Sequence, residues 1–368
     1  MRDLLLILGI SLVLAYCSER KMLTYPITRR FSADLALTVM VVMLSFFCGL
    51  RTAFNDTGVY IGFFNNAPTL NEYWADSPHL FGNPLYYWFQ SFFHHHISDN
   101  YHLFMVVIAF YTIGSFVRFI RRYSTDFVFS MLLFFTLGLY ISNFAAMKQC
   151  LAMATLTYAI PKLLDKKFIQ YYLIVFIAVL WHAYAIMFVI LPLFISKPWT
   201  TVTYATIAAV IFVLFTFESS ISSFLEYAED VGKEISEEIV FETDSINIFR
   251  LAVFAVPPVL SYVFQKRLKR GISTEHSLMT NMSILSFLIM CLGLASAGNL
   301  FGRSAIYFEI GTIIILPWII HKLFTRDSAK YLTYFASVCY LAFFLYDTRA
   351  FTSEYRAIGF IEFLQSLY

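Results

Sequence analysis

The sequence is poor in charge. Only 14% of its 368 residues are Asp, Glu, Lys or Arg, against about 25% in an ordinary soluble domain. That shortage excludes a soluble globular chain. The formal net charge is only +2, and the basic residues form no separate basic domain. No nucleic-acid partner is expected. Cysteine is scarce, with five residues, mostly inside apolar runs and without metal-ligand spacing, so each reads as a small buried hydrophobe. There is no HExxH-like pair, no internal repeat, and no cofactor motif. Residues 1–18 lack a cleavage signal and read as a first span that is retained.

What the chain has instead is apolar and aromatic. Hydrophobic residues make up 59%, with 41 Phe and 24 Tyr. Runs of roughly 17 to 25 apolar residues can each cross the hydrocarbon as a helix. They do not alternate, which argues against an outer-membrane barrel. The expectation is an all-α polytopic integral membrane protein with about twelve transmembrane helices. The spans expected are 3–18, 33–50, 101–119, 126–143, 147–161, 168–182, 183–196, 200–217, 247–264, 279–297, 304–321 and 331–346. Residues 1–368 form one transmembrane domain. It carries an outer loop over 51–100 with short amphipathic helices, an acidic outer loop over 218–246, and an amphipathic tail over 347–368.

Most Lys and Arg fall in 19–30, 118–125, 162–167, 197–199, 265–278 and 322–330, which the positive-inside rule makes cytoplasmic. Arg51, Lys148, Arg250, Arg303, Arg349 and Arg356 then lie at or near outer ends of spans, where topogenesis does not favour them. Two causes compete. One is ion pairing with outer carboxylates such as Asp56, Glu309 or Asp347. The other is an anionic substrate, since a guanidinium matches phosphate oxygens in a fork.

Several residues carry alternatives. Asp56 can cap the helix that follows it, or orient Arg51 or a sugar hydroxyl. His182, between Trp181 and Tyr184, is either satisfied by a neighbouring helix or placed beside an acceptor hydroxyl. Lys148 either snorkels or holds phosphate. Glu309, if buried, must be paired, protonated or functional. His94, His95 and His96 are adjacent, so their side chains diverge on a helix and suit an interfacial aromatic belt better than a metal site. No metal is expected.

Local segments then resemble the EpsG-type family of exopolysaccharide proteins, within the Wzy-like O-antigen and capsule polymerases. GLRTAFNDTGVY resembles the family's arginine followed by G-x-D-x-x-x-Y, with Arg51, Asp56 and Tyr60 on its polar positions and Asn55 in place of glycine. GNPLYYWFQ resembles its E-P-L-Y/F segment, with Asn83 at the acidic position. AAMKQCLAMA resembles L-R-Q-x-x-A, with Lys148 replacing arginine and Gln149 kept. LWHAYAIMFVILPLF resembles F-H-x-S-A, carrying His182, with Tyr184 at the serine position. NLFGRSAIYFE resembles R-x-x-x-Y-F, carrying Arg303, Tyr307 and Phe308.

The resemblance implies a metal-independent glycosyltransferase without cofactor, compatible with a GT-C-like architecture. It would polymerise undecaprenyl-diphosphate-linked oligosaccharide repeats at the outer face of the cytoplasmic membrane. Arg51, Asp56, His182 and Arg303 are the expected catalytic residues. Tyr60, Lys148, Gln149, Arg250, Tyr307, Glu309 and Arg349 are the expected substrate contacts. Partners would be the lipid-linked oligosaccharide, membrane lipids, a chain-length regulator and a flippase. A ligase using the same donor, or a transporter of it, are the competing functions.

Overall fold

The computed structural model describes residues 2–22, 24–26, 32–75, 80, 82–216, 245–294, 298–349 and 354–367. The acidic loop expected over 218–246 lies almost wholly outside the described residues, as does part of the tail.

The chain is nearly all helix. It opens with α1 (Arg2–Glu19), the short strands β1 (Thr24–Pro26) and β2 (Ser32–Asp34), and α2 (Leu35–Gly49). The 51–100 segment holds β3 (Arg51–Ala53), α3 (Thr57–Asn65), α4 (Leu70–Ala75) and α5 (Pro84–His96). Next come α6 (Tyr101–Tyr123), α7 (Phe127–Thr136), α8 (Leu139–Ala145), α9 (Met147–Leu164) and α10 (Phe168–Trp181). A 3₁₀ helix over Ala183–Phe194 precedes α11 (Thr201–Phe215). The last part holds α12 (Ile248–Val263), α13 (Gln265–Leu268), α14 (Thr274–Leu292), α15 (Gly298–Leu323), α16 (Arg326–Asp347), β4 (Arg356–Ala357) and α17 (Phe360–Gln365).

The expectation of about twelve transmembrane helices is corrected here. Among the described residues, four helices are long and apolar enough to cross a membrane: α6, α14, α15 and α16. A fifth span results if α7 and α8, bent by 41° at their junction, count as one. The physical reason is length for most and composition for α1 and α9, which reach 18 residues but carry charged side chains, Arg2, Asp3 and Glu19 in one and Lys148 and Lys162 in the other. Crossing roughly 30 Å of hydrocarbon takes about 20 helical residues. α2, α10, α11, α12 and the 3₁₀ helix run only 12 to 16 residues, or about 24 Å at most as an α-helix. The apolar runs are real, but the backbone breaks inside or between them. One break falls at His182, whose backbone is extended (φ −159°, ψ 123°) where α10 gives way to the 3₁₀ helix. Another falls at Gly138, whose φ of +102° is a conformation that costs an L side chain and suits glycine.

Helix starts follow local chemistry. Asn100 accepts from the backbone N–H of His102 at 2.9 Å and of Leu103 at 3.1 Å. Asp126 accepts from Phe129 N–H at 2.9 Å, and Ser273 from His276 N–H at 3.2 Å. Each satisfies a donor that the first turn leaves open. Among the described helices, α14 and α15 make the most extensive packing contact. Gly311 permits it, since a Cβ there would sit 2.6 Å from Met282 Cβ and 2.8 Å from the Met279 carbonyl oxygen. Phe188 of the 3₁₀ helix stacks on Phe308 at 5.2 Å, closing the core behind α15.

Two small sheets were not expected from the sequence. β1 pairs with β2, and β3 pairs antiparallel with β4, placing Arg51 opposite Ala357. The tail is therefore anchored: Ile358 N–H donates to Leu50 O at 3.0 Å, and the Tyr355 hydroxyl donates to Phe47 O at 2.8 Å. This docking carries Glu354 to the cavity described next.

Candidate functional site

A polar cavity of about 380 Å³ opens between α8, α9, α12, α15 and the end of α16. Asn299, Gly302, Arg303, Ile306 and Glu309 all line it. They recur at helical spacing, so one stripe of α15 forms a wall. The α7–α8 bend contributes Gly138 and Ser142, α9 contributes Gln149, and α12 contributes Arg250. Asp347, Glu354 and Asn55 complete the polar lining.

Arg303 is the most accessible cation here. Its Nη2 lies 4.0 Å from Asp56 Oδ2, with the two side chains 45% and 42% exposed. Its backbone carbonyl accepts from Gln149 Nε2 at 2.6 Å, which ties α9 to α15. Arg250 is held more tightly, its Nη2 donating to Asp347 Oδ2 at 2.8 Å. The carboxylates on the wall are Glu309, Asp347 and Glu354, against the guanidiniums of Arg250 and Arg303. The site is thus a mixed-charge one, able to accept sugar hydroxyl protons and to exchange a carboxylate for a phosphate.

Asp56 sits at the N-cap of α3 but makes no capping hydrogen bond; its side chain faces Arg303 instead. Arg51 lies deeper than a surface position. It is 1% exposed, donating from Nε to Thr57 Oγ1 at 3.1 Å and from Nη1 to the Cys48 carbonyl at 2.7 Å. Its Nη2 is buried without a hydrogen-bond partner, and its guanidinium lies 5.9 Å from the Phe144 ring centre. Tyr60 is buried nearby. Burial, then the Asp56 carboxylate, pushes its hydroxyl up to about 12, so it stays a neutral donor.

The remaining expected residues stand off the cavity wall. His182 Nδ1 and the Tyr307 hydroxyl share a hydrogen bond of 2.8 Å, and Tyr307 is buried. Lys148 Nζ donates to the Tyr87 hydroxyl at 3.0 Å and lies over the rings of Tyr86 and Tyr87. Arg349 lies over the Tyr346 ring at 4.9 Å. Of the expected residues, Gln149, Arg250, Arg303 and Glu309 share the cavity, and Asp56 joins through Arg303.

Sequence reading missed Asp347, Glu354 and Asn299 as site residues. Asp347 entered only as an ion-pair partner, which it is for Arg250. Glu354 reaches the site through β3–β4 pairing, which two- and three-residue strands do not advertise.

The histidine run places its members in different surroundings. His94 packs edge-on to Phe64, His95 Nε2 lies 3.0 Å from the Ala67 carbonyl, and His96 lies against Phe92. Among the described residues no group of three or more His, Cys, Asp or Glu is placed to hold a metal ion.

These features define a membrane-associated helical protein with a guanidinium- and carboxylate-lined cavity. A family model, the EpsG family, matches residues 34–362. The chain belongs to that family, and membership supports a role in glycan biosynthesis. No curated protein and no solved structure is a significant match to the chain.

Proposed function

We propose that the protein polymerises lipid-linked oligosaccharide repeats, transferring a growing glycan from undecaprenyl diphosphate to another lipid-linked unit at the outer face of the bacterial cytoplasmic membrane. The observation that carries this reading is the pairing of Arg303 with Asp56 at 4.0 Å beside the cavity. An exposed pair of this kind contributes only about 0–1 kcal/mol, so an incoming diphosphate can take its place. A guanidinium offers phosphate two parallel donors. As the glycosidic bond breaks, charge grows on the departing diphosphate, and Arg303 stabilises that charge more than it stabilises the resting donor.

The rest of the cavity suits sugar. Gln149, Asn299 and Asn55 offer amides, and the wall carboxylates accept from hydroxyls. Its volume, about 380 Å³, is in the usual range for small-molecule sites. It holds the reacting ends of the substrates, with the remaining glycan outside.

The test is turnover by the purified full chain in liposomes. The donor is a labelled lipid-linked repeat extracted from cells lacking this gene. A ladder of polymer lengths with released polyprenyl diphosphate is expected. Transfer to a different acceptor without a ladder would make the protein a ligase. Movement of intact donor across the bilayer without bond cleavage would make it a transporter. Either result overturns the polymerase reading.

A further inference from the structure

One group in the cavity is left over once the arginines are accounted for. Glu309 is 1% exposed yet lies on the cavity wall. Its Oε1 is buried without a hydrogen-bond partner. A buried carboxylate oxygen without a donor is costly, and helix packing does not need it: Leu137, Met290 and Ile306, also on the wall, are apolar. The other candidates for acid–base work are engaged or stand off the wall. Asp347 is bound to Arg250, His182 shares its hydrogen bond with Tyr307 away from the wall, and Asp56, released when diphosphate takes Arg303, does not line the cavity. Glu354 is exposed on the tail.

We infer that Glu309 is the general base that removes the proton from the acceptor hydroxyl, an inference that rests on the transfer reading above. In the step, the Glu309 side chain turns into the cavity, the acceptor O–H bond breaks and its proton passes to the carboxylate. The oxygen's electron pair forms the new bond to the anomeric carbon. The bond from that carbon to the diphosphate oxygen breaks, and its electron pair leaves with the diphosphate beside Arg303. Loss of the proton to water restores the carboxylate. A single displacement of this kind inverts the anomeric centre.

The experiment compares full-length Glu309→Gln, Glu309→Ala and Glu309→Asp, purified and assayed with the labelled lipid-linked repeat. General-base removal costs about 10²- to 10⁴-fold in rate. Glu309→Gln is expected to show that loss in kcat while its donor KM stays within about threefold of wild type. Glu309→Asp keeps the carboxylate and should retain part of the rate. Sodium formate should restore at least about tenfold to Glu309→Ala, whose truncated side chain leaves room for it, and nothing to Glu309→Gln. A purely structural carboxylate would not give that pattern. Wild-type turnover with an equally active Glu309→Gln overturns the base alone. A wild-type protein that never cleaves the donor overturns the transfer reading instead. Folded Glu309→Ala without formate recovery, or variants that unfold even in formate, make Glu309 structural and overturn the inference.

Discussion

Arg303 Nη2 stands 4.0 Å from Asp56 Oδ2, whereas Arg250 Nη2 stands 2.8 Å from Asp347 Oδ2. Two guanidinium–carboxylate pairs border one cavity, and they differ in tightness. The looser pair is also the more exposed. Solvent screens it and side-chain entropy works against it. The proposed function assigns the exchange for substrate to Arg303, while Arg250 and Asp347 tie α12 to the end of α16.

Arg303→Ala is therefore expected to lower polymerisation kcat/KM about a hundredfold, equivalent to about 3 kcal/mol of transition-state stabilisation. Arg303→Lys keeps the charge but loses the planar fork, and should fall between the two. Asp56→Asn removes the competitor for the guanidinium and should lower the donor KM severalfold. Initial rates across donor concentration, with equal amounts of folded protein, decide this. A donor KM that rises in Asp56→Asn would mean Asp56 binds substrate itself.

Arg51 carries a different expectation. It is buried, and its guanidinium bonds to Cys48 O and Thr57 Oγ1, joining the end of α2 to the start of α3. Arg51→Ala empties a large fully buried site and strands two acceptors, which costs about 3 kcal/mol. Loss of thermal stability should accompany any loss of turnover. An Arg51→Ala protein that melts like wild type yet is inactive would return Arg51 to the catalytic machinery.

Much of the fold was legible and one large feature was not. Among the described residues the expected apolar segments are mostly helical, because lipid-compatible composition and helical propensity act locally. Helix length is not local. Gly138 interrupts the run 126–143 that composition alone joins, and the segments on either side of His182 are each too short to span, so a count of runs overstates the count of spans. The site shows the same division. Arg303 and Glu309 share one helix, so their juxtaposition follows from spacing. Asp56, Arg250, Asp347 and Glu354 meet them only through packing between distant elements. Arg51 misleads for a related reason. A charge at the end of an apolar run suggests the surface, whereas the β3–β4 pairing and tail cover this one.

Gly311 offers a test of the α14–α15 contact. A Cβ there would meet Met282 Cβ at 2.6 Å and the Met279 carbonyl at 2.8 Å. The carbonyl belongs to backbone and cannot swing aside. Gly311→Ala should destabilise by about 1–3 kcal/mol as overpacking. Gly9→Ala in α1 is the control: nothing lies within 4 Å of its Cβ position, so helix propensity should leave it neutral or stabilise it by up to about 1 kcal/mol. Paired melting curves in one detergent measure both. Equal melting temperatures for Gly311→Ala and wild type would mean the two helices are not held this closely.

His94 makes stability depend on pH in a direction that can be worked out. Its Nδ1 is buried without a hydrogen-bond partner, and its ring lies 5.0 Å from Phe64 and 4.8 Å from His95. Burial first, and the His95 imidazole second, lower its pKa below the ordinary value, with Asp99 acting weakly the other way. The folded protein therefore binds this proton less readily than the unfolded chain, whose histidine titrates near about 6.5. Between the two values the unfolded state holds more protons, so stability falls as pH falls. The contribution is complete above about pH 6.5 and is lost as pH drops through the folded-state value. His94→Gln removes this term. The melting temperature of wild type minus that of His94→Gln, followed from neutral to acidic pH, should shrink or change sign as pH decreases. Parallel curves across the range would show that His94 titrates alike in both states and that its buried ring nitrogen carries no cost.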